Sequence, residues 1–245
     1  MLISLSIVVI LIAAFTQGLT SFGFALISMP LLSKLIPLQE AVPLVVIMSC
    51  IINVMLLIQT WRHVQLSRVW LLITASLIAA PLGTYLLLYI NPEYLKLVAG
   101  LLIAGFAVLL ISNHSFPVKH EKLAYVPVGF LSGLLNGSIS MSGPPVVLFL
   151  SNQGVSKEVF RANGTAMGVI LNSFTIVGFY TAGLINHDVQ SHLSWLVPGL
   201  IIGGFIGAKS IHRINEKVFK KLSLYLILVS GILTFGLALK AILNL

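Results

Sequence analysis

Hydrophobic side chains make up 58% of the 245 residues and charged ones 8%, with a mean hydropathy of +1.07, whereas a soluble domain carries about 25% charged residues. That composition excludes a water-soluble globule and makes the bilayer the solvent. The net charge of +8 does not point to nucleic acid, because the basic residues lie in short stretches between apolar segments, where lipid headgroups and insertion orientation account for them.

In chain order, the first apolar segment starts at Met1 without a basic leader and runs on without a small-residue cleavage site, so it reads as a retained helix. Residues 2 to 17 and 20 to 36 form a pair of segments, each covering roughly 20 to 25 Å at about 1.5 Å per residue. That falls short of a hydrocarbon core about 30 Å thick. Full spans are expected at 41 to 60, 68 to 90 and 93 to 112. A second short pair follows at 123 to 137 and 139 to 151, and further spans at 162 to 183, 192 to 211 and 217 to 242. The lone cysteine, Cys50, sits inside a span and reads as a small buried side chain.

The two short pairs share a motif. Phe15, Gly18 and Pro30 match Phe130, Gly133 and Pro145 at a constant offset of 115 positions. Further on, Asn53 matches Asn172, and Gly83 with Asn91 matches Gly207 with Asn215. The chain therefore reads as one integral membrane domain of two repeats, 1–118 and 119–245. Loop charge chooses the topology. If each motif region crosses once, Lys and Arg split 9 to 5. If each is a hairpin, one side gathers 11 and the other keeps Lys34, Lys96 and Lys240. The positive-inside rule selects the hairpin, with both termini outside. A hairpin plus three spans is an odd number of crossings, so the expected fold is an all-α polytopic membrane protein of two inverted-topology repeats, each a broken-helix hairpin plus three transmembrane helices.

Broken helices at matching points of two halves mark a transporter's binding site. All six acidic residues fall in loops or at helix ends, which disfavours a cation antiporter and fits an anionic or neutral substrate. Half-helix amino ends can hold an anion through backbone N–H groups. The candidate substrate-binding residues are Thr16, Gln17, Gly18, Thr20, Ser21 and Gly23 in the first half, and Asn136, Gly137, Ser138, Ser140, Ser142 and Gly143 in the second, with Ser132 nearby. Glycines let the backbone approach a ligand and hydroxyls donate without titrating. Asn53 and Asn172 either bond a neighbouring helix or face the cavity. Arg161, which begins a span with Asn163, and Lys209 are read as cations snorkelling toward the cytoplasmic interface, with a cytoplasmic gate at Arg161 and Asn163 that attracts anions as the alternative. Gly129/Gly133/Gly137, Gly164/Gly168 and Gly199/Gly203/Gly207 read as packing faces. No nucleophile with an adjacent base, no P-loop and no Rossmann fingerprint is present, and no catalytic residue, metal or cofactor is expected.

At these residues the chain resembles the TauE/SafE family of sulfite-exporter-like membrane permeases. Gly18 to Leu32 is similar to the family's first Gly-rich motif, Gly129 to Leu150 to its second, and Leu200 to Lys221 to the helix and basic loop that follow. The chain departs from the glycine-run form at Thr20 to Phe24 and at Ser138 to Ser142. The resemblance implies permeation or export of a small sulfur-containing or organic anion across a bacterial inner membrane. The expected function is thus a secondary transporter of a small anion, sulfite or an organosulfonate among the candidates, working by alternating access in a multi-pass plasma-membrane protein. The alternatives are a passive anion channel and, further off, a membrane-embedded enzyme. The expected partners are the anion and the bilayer, with a homo-oligomer compatible and no nucleic acid.

Overall fold

The computed structural model describes residues 2–111, 121–211 and 215–243, so the expected repeat boundary at 118/119 lies outside the described residues. Those residues form α-helices joined by short turns, with no strand among them: α1 (Leu2–Thr20), α2 (Phe24–Leu32), α3 (Leu38–Thr60), α4 (Leu66–Tyr89), α5 (Pro92–Ile111), α6 (Glu121–Ile139), α7 (Gly143–Asn152), α8 (Lys157–Thr181), α9 (His187–Ser210) and α10 (Glu216–Ile242). Five of these, α3 with its 3-10 extension, α4, α8, α9 and α10, are long and apolar enough to span a bilayer among the described residues. Their large outward side chains, including Ile58, Ile78 and Val177, stay exposed, as they must if lipid and not water covers them. The protein is an all-α polytopic membrane protein.

Several helix starts follow from local chemistry. Asn186 and Asn215 cap α9 and α10 by accepting from the N–H groups of Val189 and Val218, both at 2.9 Å. Asn91 accepts from Glu93 N at 2.9 Å ahead of α5, so the repeat-matched pair Asn91 and Asn215 are both helix-start residues.

Glycines set the packing. Gly199, Gly203 and Gly207 of α9 lie against Ile7, Leu11 and Phe15 of α1, in the same chain order, so the two helices run parallel. Gly129, Gly133 and Gly137 of α6 lie in the same manner against Leu72, Ser76 and Ala80 of α4. A Cβ at Gly133 or Gly207 would collide with the carbonyl of Ser76 or Phe15. Only hydrogen at these positions permits backbone contact, which drives helix association where lipid removes the hydrophobic term. α3 runs antiparallel to α8, with Cys50 beside Ser173 and Thr60 beside Thr165. α5 runs antiparallel to α10, with Gly100 against Phe235 and Gly231 against Ala104.

One sequence reading is corrected here. The breaks between α1 and α2 and between α6 and α7 carry Ser21 and Ser140, which lie 119 positions apart and are, among the described residues, the non-glycine ones with positive φ, 70° and 64°. The same offset relates the ends of α1 and α6 and the starts of α2 and α7 and of α3 and α8. Gly18 therefore corresponds to Gly137 and not to Gly133. The offset of 115 aligns the glycines one helical turn early.

Candidate functional site

The first break is held by an amide from the helix before it. Gln17 Nε2 donates to Ser21 O at 3.2 Å and to Asn53 Oδ1 at 2.7 Å, while its Oε1 accepts from Phe24 N at 2.9 Å. One side chain thus satisfies the carbonyl that α1 leaves behind and the first N–H of α2. The second half repeats the link with a shorter residue. Asn136 Nδ2 donates to Asn172 Oδ1 at 2.8 Å, and both amide pairs span 36 residues. Asparagine lacks one methylene relative to glutamine, and the Oδ1 of Asn136 is left buried without a partner. The second break is bridged instead by Ser132, which donates to Ser142 O at 2.7 Å.

The breaks meet. A Cβ at Gly143 would lie 3.3 Å from Phe22 Cβ and 3.4 Å from its carbonyl oxygen. Beside this contact is a cavity of about 50 Å³, enough for a few waters or one small anion, given that one water needs roughly 10–15 Å³. Of the residues expected at the site, the structure brings Gln17, Ser21, Asn53, Ser140, Ser142, Gly143 and Asn172 to its wall. The others stand behind it. Thr16, Thr20 and Ser138 bond back to the carbonyls of Ile12, Thr16 and Leu134 in their own helices. Gly18 and Gly137 face α9 and α4, and Gly23 lies against Thr16. Asn163 accepts from Gln65 N at 2.8 Å, and Ser132 donates across the second break to Ser142 O at 2.7 Å.

Arg161 departs from expectation. It does not reach for the interface but is 8% exposed, donating from Nε to Ser21 Oγ at 3.0 Å and from Nη2 to Gly18 O at 3.0 Å. The carbonyl that the broken α1 cannot pair internally gives the guanidinium a buried partner. No carboxylate lies within ion-pair distance of it among the described residues. Both hydrogen-bond partners are neutral and Glu158, in the first turn of α8, acts on the guanidinium only through its charge, while Ser21 joins the guanidinium to the cavity wall. At the corresponding place in the other half, Ser140 Oγ donates to Val42 O at 3.0 Å. The same tip-to-helix link is made there with no charge. The expectation that Arg161 snorkels to the interface is thereby corrected: it is buried against the first break.

Other wall residues include Ser49, Phe22, Phe160 and Met167, not singled out from sequence, and Gly164 and Gly168, read there only as a packing face. Spacing carries the signal in part, since Ser49 sits one turn before Asn53, and Gly164, Gly168 and Asn172 share one face of α8. Gly168 packs on the Asn53 amide, whereas a Cβ at Gly164 would meet nothing within 4 Å and so opens the cavity. The expectation of equal half-helix amino ends also needs adjustment. α7 begins Gly143-Pro144-Pro145, and proline has no N–H to offer an anion. Of its first three residues α7 keeps only the Gly143 N–H, whereas α2 has one at each residue, that of Phe24 being taken by Gln17.

Broken helices meeting at a cavity that serines and amides share with apolar side chains, inside a multi-pass helical domain, define the class of membrane transport proteins. The family model described as "Sulfite exporter TauE/SafE" matches residues 6–234, and the chain belongs to that family of membrane transporters for sulfite-type anions. A search of curated proteins and one of solved structures each find no match.

Proposed function

We propose that the protein is a secondary transporter that carries a small oxyanion, sulfite or an organosulfonate, through the cavity between the two breaks by alternating access. The observation that carries this reading is Arg161, a buried cation fastened to the first break beside a cavity sized for a small anion. The proposed ligands are the Ser21 and Ser140 tips, the Asn53 and Asn172 amides, Ser142 and the Ala25 N–H, with the Arg161 field favouring negative charge.

The proposed scaffold is two inverted repeats, 1–118 and 119–245. Support comes from chain direction: α1 runs with α9, α9 against α8 across a short turn, α8 against α3, α3 against α4, and α4 with α6. By that path α1 and α6 point opposite ways. The proposed setting is the cell inner membrane with both termini outside, which rests on the 11 to 3 charge split.

Counterflow in proteoliposomes tests the mechanism. A carrier gives uptake of labelled sulfite that unlabelled internal sulfite accelerates, and a passive channel gives flux without acceleration. Absence of any flux or thermal stabilisation across a panel of sulfite, sulfonates and small carboxylates would sink the anion reading.

A further inference from the structure

A second cavity, of about 390 Å³, lies beside the second break, walled also by the carboxyl end of α2, the start of α5 and the end of α10. Its wall gathers Lys34 from just after α2, Lys96 from the first turn of α5 and Lys240 from the last turn of α10. These are the three cations that the hairpin topology sets apart from the other eleven. Lys96 is paired with Glu93 at 2.9 Å, and no ion pair ties Lys34 or Lys240 among the described residues. Three ammonium groups and one carboxylate leave a local excess of positive charge. Deeper in the same wall is Thr234, 4% exposed, whose Oγ1 is buried and has no hydrogen-bond partner. A buried hydroxyl without a partner is a cost that a bound acceptor would remove.

The floor of this cavity is the second break itself. Ile139 and Met141 line it, while Ser140 between them lines the central cavity. One residue of backbone separates the two spaces.

We infer that this cavity is a separate binding site for a small oxyanion, held by Lys34, Lys96, Lys240 and the Thr234 hydroxyl, from which the anion passes to or from the central cavity across Ile139–Met141. The inference rests on the anion reading above for its transport role, but the binding itself can be measured independently. A lipid phosphate offers the same chemistry as a free anion, so the test separates the two.

The experiment is equilibrium binding of radiolabelled sulfite to the purified full chain in nanodiscs of phosphatidylcholine. The expected result is two sites per chain, one of them salt-sensitive because its lysines are exposed to solvent. Lys34→Gln with Lys240→Gln should remove the salt-sensitive site and leave the other. Arg161→Gln should do the reverse, and Lys157→Gln with Lys217→Gln should change neither. Thr234→Val should weaken the salt-sensitive site about 10-fold, the expected loss of one hydrogen bond to a charged group, and Thr234→Ser should restore it. A wild-type protein with the salt-sensitive site but no central site defeats the transport reading alone. Unchanged stoichiometry in the double lysine variant overturns the second site. So does a tighter-folding Thr234→Val protein with wild-type binding, which would make Thr234 a packing residue. Sulfite binding that is absent in phosphatidylcholine, with occupancy instead by phosphatidylglycerol added to the nanodisc, overturns it in favour of a lipid headgroup.

Discussion

Arg161 and Gln17 are the side chains on which the site depends most. Removing the guanidinium leaves the Gly18 carbonyl buried and unpaired, and a lost hydrogen bond to a charged group is worth about 1.5–3 kcal/mol. Arg161→Gln is therefore expected to lower thermal stability and to cut sulfite affinity by roughly 10-fold or more. Arg161→Lys should recover charge but not both bonds, because an ammonium is a point donor and not a fork. Equal transport by the wild type and Arg161→Gln at equal protein level would remove the cation from the mechanism. Gln17→Leu should be more destabilising still, since it strands Phe24 N, Ser21 O and Asn53 Oδ1 together. Thermal unfolding in detergent measures this, and Asn136→Leu, which breaks a single observed bond, is the matched control. Arg161 could not be placed from sequence, because a long side chain one turn into a helix reaches either way. What turns it inward is a carbonyl released by a break more than a hundred residues earlier.

At the scale of elements, the glycines separate into two kinds that the sequence shows alike. Gly207→Ala puts a methyl group on the Phe15 carbonyl and should force α1 and α9 apart, with overpacking costing about 1–3 kcal/mol. Gly164→Leu meets open space and should fold normally while filling the cavity, so transport falls and the melting temperature does not. A melting temperature lowered as far by Gly164→Leu as by Gly207→Ala would mean that Gly164 packs and does not line the cavity. The lengths of the spans and the existence of two breaks were legible from hydropathy and from clustered Ser and Gly. The register of the repeat was not, for a physical reason. Gly129, Gly133 and Gly137 recur every fourth residue because a helix presents the same face each turn, so a slip of one turn aligns glycine with glycine equally well. The left-handed residues Ser21 and Ser140 fix it, and a serine there does not announce itself as glycine would.

For the whole molecule, topology is the quantity to measure. Cys50 makes one weak contact, to Ser173 Oγ at 3.6 Å, so a Cys50→Ala background should fold normally. Single cysteines replacing Lys34 and Lys157 in that background should react with an impermeant reagent from opposite faces of the membrane, Lys34 from outside. Labelling of both from one face would defeat the hairpin arrangement and the inverted halves with it. Lys34, Lys96 and Lys240 line one cavity and Lys157 and Lys217 another, both separate from the central one, and under alternating access such labelling has a further use. Substrate that holds one face shut should slow reaction there and speed it on the other.

The parallel pairing of α1 with α9 also governs how the protein is made. α9 begins at His187, long after α1 ends at Thr20. At a synthesis rate of about 5–20 residues per second, α1 waits on the order of ten seconds for the glycines that receive it. During that interval its contact stripe has only lipid or the insertion machinery for company. A ribosome stalled before α9 should leave α1 exposed to quality-control proteases, and the second half supplied as a separate chain should rescue it.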